Sequence, residues 1–363
     1  MAYYYAGLDV SMDQTDITTV NEKGKIVFEA SVKTDPESID AALKNAGFLI
    51  EKMSLESGSW SHWLVKELSK LKWNVTCIDA RSISPILALN TNKTDRNDAR
   101  GIAEAVRTES KCIREVYQKS QESINLGTLL TARRLLVEQR TALSNATRGL
   151  FKSFGIHLGP LGSEHFASKV LTKTAEHWPV EPLFQEAPAS IKKALSNKKP
   201  QRIALEALTT SFETLRHEVN AIDKELSSLS KKDEVIKRLM TAPGIGPLTA
   251  ITYKTVIDNP SRFKNPRFIG AYLGMCPKQY SSGQTKRLGR ISKRGSKELR
   301  TLLASAGMTI LTHCKQSSDL RTWGLKIAEK HGKKKAYMAI GRKLAIIMHH
   351  IWNKDVIFKS EKK

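Results

Sequence analysis

Four carboxylates and a serine pair have the residue types and spacing needed to work on a phosphodiester: Asp9, Glu56, Asp95 and Asp98, with Ser281-Ser282. Asp9 sits in the small and apolar stretch "AGLDVS", where an ionised carboxylate needs a partner or must give up its charge. Glu56 closes "MSLES", and Asp95 and Asp98 lie in "KTDRNDARGIAEAV". Three apart at a helix start, these last two share one face with Cβ atoms about 5–6 Å apart. Four converging carboxylates repel one another unless divalent cations sit among them, and hard oxygen donors suit Mg2+ or Mn2+. Each acid also has an ordinary reading. Asp95 can be an N-cap, Asp98 a first-turn acid and Glu56 a surface acid before a turn. Asp9 is the hardest to explain that way.

The serines stand in "CPKQYSSGQTKRLGRISKRGS", with no acid between Cys276 and Ser296. Lys278, Lys286, Arg287, Arg290, Lys293 and Arg294 alternate there with small and polar residues, as a phosphate-gripping segment requires. Over residues 261–300 eleven Lys/Arg accompany one acid, Glu298. A serine hydroxyl in such a setting either donates to a phosphate or attacks it, and attack needs an activating base or metal. Upstream, "LMTAPGIGPLTAITY" reads as two helices joined by Pro-Gly-Ile-Gly, similar to a helix-hairpin-helix. In such a turn Gly244 and Gly246 let backbone amides approach a nucleic-acid phosphate closely.

These residues need a scaffold. Residues 4–33 read as three strands, with a turn at "NEKGK", followed by the helix "PESIDAALKNA" begun by Pro36. A strand ending at Glu56, the amphipathic helix "WSHWLVKELSKL" and the strand "WNVTCIDA" complete an α/β pattern over residues 1–115. Trp60 and Trp63 are expected in the core there, with base stacking the less common role. Residues 116–235 read as long helices around a turn-rich stretch at 154–200. Leu205, Leu208, Phe212, Leu215, Val219, Ile222, Leu226 and Leu229 form a heptad seam, a coiled-coil signal. The seam can pair within the chain against the helix at 121–153, or between chains. Arg133 and Arg140 interrupt that helix's own seam, which favours pairing between chains. Residues 236–363 read as a mainly α, basic domain, and His349-His350 as helix-surface or packing residues.

The charge is as unequal as the texture. Residues 1–110 hold 13 Lys/Arg and 16 Asp/Glu, a net of −3, against +26 for the remainder, with +23 overall. Such a basic block implies a polyanion partner, because neutralising phosphates releases counterions. The four cysteines are scattered without a C-x-x-C pair, and the start lacks a signal-peptide pattern, so the reduced cytosol is the expected compartment. No apolar run is long enough for a membrane span.

"GLDVS", "LESG", "KTDRNDAR", "LMTAPGIGPLTA", "YLGMCPKQYSSG", "ISKRGSKELR" and "GRKLAIIMHHIW" together resemble the DEDD-type insertion-sequence transposases, a group that includes the pilin-gene invertase. The resemblance runs over nearly the whole chain. It implies a RuvC-like, ribonuclease-H-like N-terminal domain with Asp9, Glu56, Asp95 and Asp98 as its metal-binding acids. It also implies a nucleophilic serine before the glycine of a Tyr-x-Ser-Gly pattern, which is Ser282, with Ser281 at the variable position. Donor and target DNA, a structured guide RNA from the element's own ends, and a homo-oligomer (dimer or tetramer) of a bacterial, nucleoid-associated protein are the implied partners. The competing reading is a RuvC-like nuclease or Holliday-junction resolvase that uses water and no protein nucleophile. A DNA-binding remnant without catalysis is a third, disfavoured by the complete acid set and the intact Ser-Gly.

Overall fold

The structure, a computed structural model, describes residues 2–89, 92–109, 111–179, 199–282, 285–314 and 318–358. The chain divides into two compact units, residues 1–119 and 120–363.

The first unit is a mixed α/β domain. Its elements are β1 (Tyr4–Val10), β2 (Gln14–Asn21), β3 (Ile26–Lys33), α1 (Pro36–Ala46), β4 (Ile50–Glu56), α2 (Ser61–Lys70), β5 (Val75–Ile78), α3 (Ala80–Leu87) and α4 (Asp95–Arg107). The strands lie in the order β3-β2-β1-β4-β5; β1, β2 and β3 pair antiparallel, while β1–β4 and β4–β5 are parallel. Alternation divides β1 and β4 between two faces. Ala6, Leu8, Met53 and Leu55 point into a core closed by Ile39 and Leu43 of α1 and Leu64, Val65 and Leu68 of α2. The opposite face carries Gly7 and Ser54 and is covered by α4. Local signals start and stop α1: Asp35 caps it by accepting from Ser38 N at 2.7 Å, and Gly47 ends it at φ +72°. The strands and the helices α1, α2 and α4 lie where their periodicity indicates. α3, which contains Pro85, is an additional element.

The second unit is mostly helical: α5 (Gln121–Ser153), α6 (Ser163–His177), α7 (Pro200–Lys232), α8 (Glu234–Leu239), α9 (Pro247–Ile257) and a 3-10 turn at Pro260–Arg262. It continues with α10 (Arg267–Tyr272), the hairpin β6 (Pro277–Ser282) and β7 (Thr285–Ile291), then α11 (Lys297–Thr312), α12 (Asp319–His331) and α13 (Lys333–Asn353). One row of the heptad seam packs within the chain, the alternative to the pairing between chains that the sequence favoured, while Leu208, Leu215, Ile222 and Leu229 stay half-buried. Leu205, Phe212, Val219 and Leu226, spaced by seven, are buried, and α7 packs on α5. Leu130 shares a core with Leu226 while Phe151 shares one with Leu205 and Phe212, so the helices run antiparallel. Arg133 does not break the seam because its guanidinium pairs with Asp223 of α7. Within the turn-rich stretch, α6 packs Phe166 and Val170 against this helix pair; residues 180–198 lie outside the described residues. Leu130 and Leu226 also join the core of the C-terminal segment, formed by α8, α9, α11 and α13. His349 is buried there with its ring nitrogen 3.0 Å from Pro260 O, a packing residue as expected. Among the described residues no helix is long and apolar enough to cross a membrane.

Candidate active site

The acids are placed by strand register and by one helix. Gly7 pairs with Ser54 and Leu8 with Leu55 across the parallel β1–β4 ladder, so Asp9 and Glu56 come next, side by side. Both leave the sheet on the face covered by α4, at the carboxyl ends of parallel strands, where open α/β sheets receive ligands. The approach of α4 depends on Gly7. A Cβ there would collide with the Ala99 carbonyl and the Ala103 amide, so only glycine lets the helix lie directly on β1. With Ala99 and Ala103 over Gly7, the helix start falls toward the end of β1 that carries Asp9. Thr94 is the N-cap, accepting from Asn97 N at 3.2 Å, so Asp95 is the first helical residue and not the cap. Asp98, in the same first turn, is buried with 8% of its surface exposed, whereas Asp95 is exposed.

The electrostatics show that the four acids share one region. Burial pushes the Asp9 carboxyl up to about 6, with further upward pressure from Asp98, Asp95, Glu56 and Asp16. Burial raises Glu56 too, with Asp98 adding to it and Lys93 opposing it. Asp16 was not singled out in the sequence. It stands opposite Asp9 in the β1–β2 register, and the signal was "DVSMDQTD", a second acid one tight hairpin away.

Oxygen-only donors, two of them (Asp9 and Glu56) with raised carboxyls, fit a hard divalent cation, which would offset the crowding of negative charge. Among the described residues no three acids, histidines or cysteines are drawn tightly enough around one point to hold an ion as they stand.

The serines lie in the second unit, on an exposed β-hairpin where the sequence suggested only a turn-led basic segment. Ser282 ends β6 opposite Thr285, with Tyr280 opposite Arg287 and Ser281 opposite Lys286. Ser281 and Ser282 therefore leave opposite faces of the ribbon. The Ser281 hydroxyl accepts from the Gln279 side-chain amide at 2.9 Å, while Ser282 shares its face with Tyr280 and Arg287. Lys278, Arg287, Arg290, Lys293 and Arg294 are all exposed. The hairpin base is fixed by a backbone clasp. Gly274 (φ +67°) packs against the Arg294 backbone and Gly295 (φ +72°) against the Tyr272 carbonyl, with no room for a Cβ at either. Arg300 locks this clasp: it is buried, and its Nη1 donates to the carbonyls of Leu273, Arg294 and Gly295 at 3.0, 2.7 and 3.1 Å. In the sequence it was one of eleven basic residues; here it holds backbone. The Pro-Gly-Ile-Gly turn joins α8 to α9, with Gly244 at φ +72° and Gly246 as the N-cap of α9.

Comparison with known proteins bears on both regions. Residues 6–156 match a transposase family profile of the DEDD type found in IS110 elements, and residues 236–322 match the transposase IS116/IS110/IS902 family. The chain belongs to the IS110/IS116 family of insertion-sequence transposases. It is 28% identical to the transposase for insertion sequence element IS1111A of Coxiella burnetii, covering 94% of this chain and 87% of the relative. A probable family 20 transposase of Pseudomonas aeruginosa is 28% identical over 85% of each chain. The transposase for element IS1328 of Yersinia enterocolitica is 27% identical, over 84% of this chain and 85% of its own. The acidic edge falls wholly within the first matched segment of the transposase and the serine hairpin within the second.

Proposed function

We propose that this transposase cuts and rejoins DNA through a covalent phosphoserine on Ser282, assisted by a divalent cation at Asp9, Glu56, Asp95 and Asp98. The observation that carries the reading is the convergence of those four acids at the carboxyl edge of β1 and β4, in a unit with strand order β3-β2-β1-β4-β5. That order, with its antiparallel hairpin and parallel β4 and β5, supports the RuvC-like description of the first unit. A bound Mg2+ or Mn2+ would polarise the phosphate and ease departure of the leaving oxygen.

The chain's own residues do the rest. The Ser282 oxygen attacks phosphorus and a P–Oγ bond forms while the P–O bond to one deoxyribose breaks. The serine proton passes to water, and the departing sugar oxygen takes a proton to become a hydroxyl. Rejoining reverses the step: a sugar hydroxyl attacks the phosphoserine and Ser282 leaves with a proton. Arg287, on the Ser282 face of the ribbon, is placed to steady the charge that develops on the phosphoryl oxygens. Lys278, Lys286, Arg290, Lys293 and Arg294, with the Gly244–Gly246 turn, grip the backbone, and the +26 block over residues 111–363 serves both the DNA and a structured guide RNA. The working enzyme is a homo-oligomer.

The second reading, a water-using RuvC-like resolvase, is supported by the acidic edge but leaves Ser282 idle. Cleavage and joining of element-end DNA by Ser282→Ala and Asp98→Asn separates the two. Covalent recombination requires both variants to lose cleavage and joining; hydrolysis that survives Ser282→Ala would overturn it.

A further inference from the structure

The acidic edge carries apolar surface that the chemistry above does not use. Trp60 and Trp63, expected in the core, are 41% and 38% exposed, with ring centroids 5.6 Å apart and planes inclined at 58°. The core face of α2 is filled by Leu64, Val65 and Leu68 without them. Trp60 follows Glu56 by four residues, so chain length alone keeps their Cα atoms within about 14 Å. The connecting loop is pinned. Ser57 N donates to Ile78 O at 2.8 Å, Ser57 Oγ accepts from Ala80 N at 3.0 Å, and Ser61 Oγ donates to Gly58 O at 2.9 Å. The β1–β2 turn, which follows Asp9, also exposes a large apolar side chain, Met12, 77% exposed.

We propose that Trp60, backed by Trp63, is a stacking platform for an unpaired nucleobase a few nucleotides from the phosphate handled by the acids. This rests on the reading that the edge works on DNA. One observation and the chemistry of stacking select a base as the occupant. The segment 1–110 has a net charge of −3, so it lacks the electrostatic grip by which the rest of the chain can hold a polyanion. Aromatic stacking retains a strand without that grip and tolerates any sequence, because every base has a π-face. A protein partner seated on the same apolar rim would close an edge that must admit a phosphodiester. On this proposal the strand entering the acids is locally unpaired.

The test uses the full-length protein and a short single-stranded oligonucleotide carrying one 2-aminopurine, whose fluorescence lifetime shortens when it stacks on an aromatic ring. Wild type and Trp60→Phe should both shorten the lifetime. Trp60→Ala should lose the short-lifetime component and bind about 10-fold more weakly, with an unchanged circular dichroism spectrum. An identical lifetime distribution in Trp60→Ala would overturn the proposal. So would a smaller assembly in sedimentation for Trp60→Ala with the lifetime unaltered, which would make the pair a contact between copies. Covalent capture at Ser282 is scored on parallel samples of the same proteins given Mg2+, the element's end DNA and the adjoining transcript. A Trp60-dependent lifetime without any adduct keeps the platform and removes the serine chemistry; an adduct with no Trp60 dependence does the reverse.

Discussion

The acidic edge and the basic hairpin are built by opposite means. Asp9, Glu56 and Asp98 are positioned by a sheet ladder, a helix laid against Gly7 and burial on both faces of β1. The hairpin residues Pro277–Ser282 are all exposed, and order there comes from a clasp at the base held by Arg300. Packing holds these carboxylates together, and the Asp9 and Glu56 carboxyls are raised in consequence of their burial. A ribbon without a core can follow a nucleic-acid backbone, provided its base does not move.

If packing sets the acidic edge, the largest effect should come from Gly7→Val. The added side chain must displace the α4 backbone, and overpacking without relief should cost more than about 3 kcal/mol. Thermal unfolding followed by near-ultraviolet circular dichroism is expected to show an early transition in the first unit, with the second unit melting as in wild type. If the clasp sets the hairpin, Arg300→Met should leave three carbonyls without their donor and destabilise the second unit by about 2 kcal/mol. Arg300→Lys should restore part of it, since a single nitrogen, Nη1, makes all three contacts and an ammonium also carries three N–H donors. Amide exchange at residues 285–291 is the direct readout.

A smaller, signed effect separates the regions by pH. The folded Asp9 carboxyl holds its proton up to about 6, against an ordinary value of 3.8. Folding therefore binds a proton more tightly, and stability falls as pH rises from about 4 to about 6, then levels. In metal-free protein Asp9→Asn should melt with wild type at pH 4 and above it at pH 7.5. Mg2+ should raise the melting temperature of wild type and have less effect on Asp9→Asn. Equal pH profiles for the two would contradict the crowded-carboxylate description. The smallest effect belongs to the exposed ribbon. Arg287→Gln should weaken DNA binding several-fold and reduce the slope of log affinity against log salt by about 1.

The same contrast explains what could be read in the sequence. β1, β4, α2 and α4 were legible because their buried faces repeat at the strand or helix period, and Asp9 stood out because its neighbours are small or apolar. The hairpin was not, since "PKQYSS" is exposed throughout and buries no alternating face. The packing of α7 on α5 was underweighted because Arg133 reads as an interruption until Asp223 is placed opposite it. Arg300 could not be told from its basic neighbours, because a guanidinium that binds carbonyls and one that binds phosphates look the same in a sequence. The Trp pair was misplaced because an aromatic four residues past a strand end can turn either way.

The most direct measurement is of the bond itself. Protein incubated with Mg2+, its element's end DNA and the adjoining transcript would be denatured, digested and mapped by mass spectrometry. The expected result is a nucleotide esterified to Ser282, absent from Ser282→Ala and from Asp98→Ala. Cleaved DNA with an unmodified Ser282 peptide would contradict the covalent mechanism and leave a metal-dependent hydrolase.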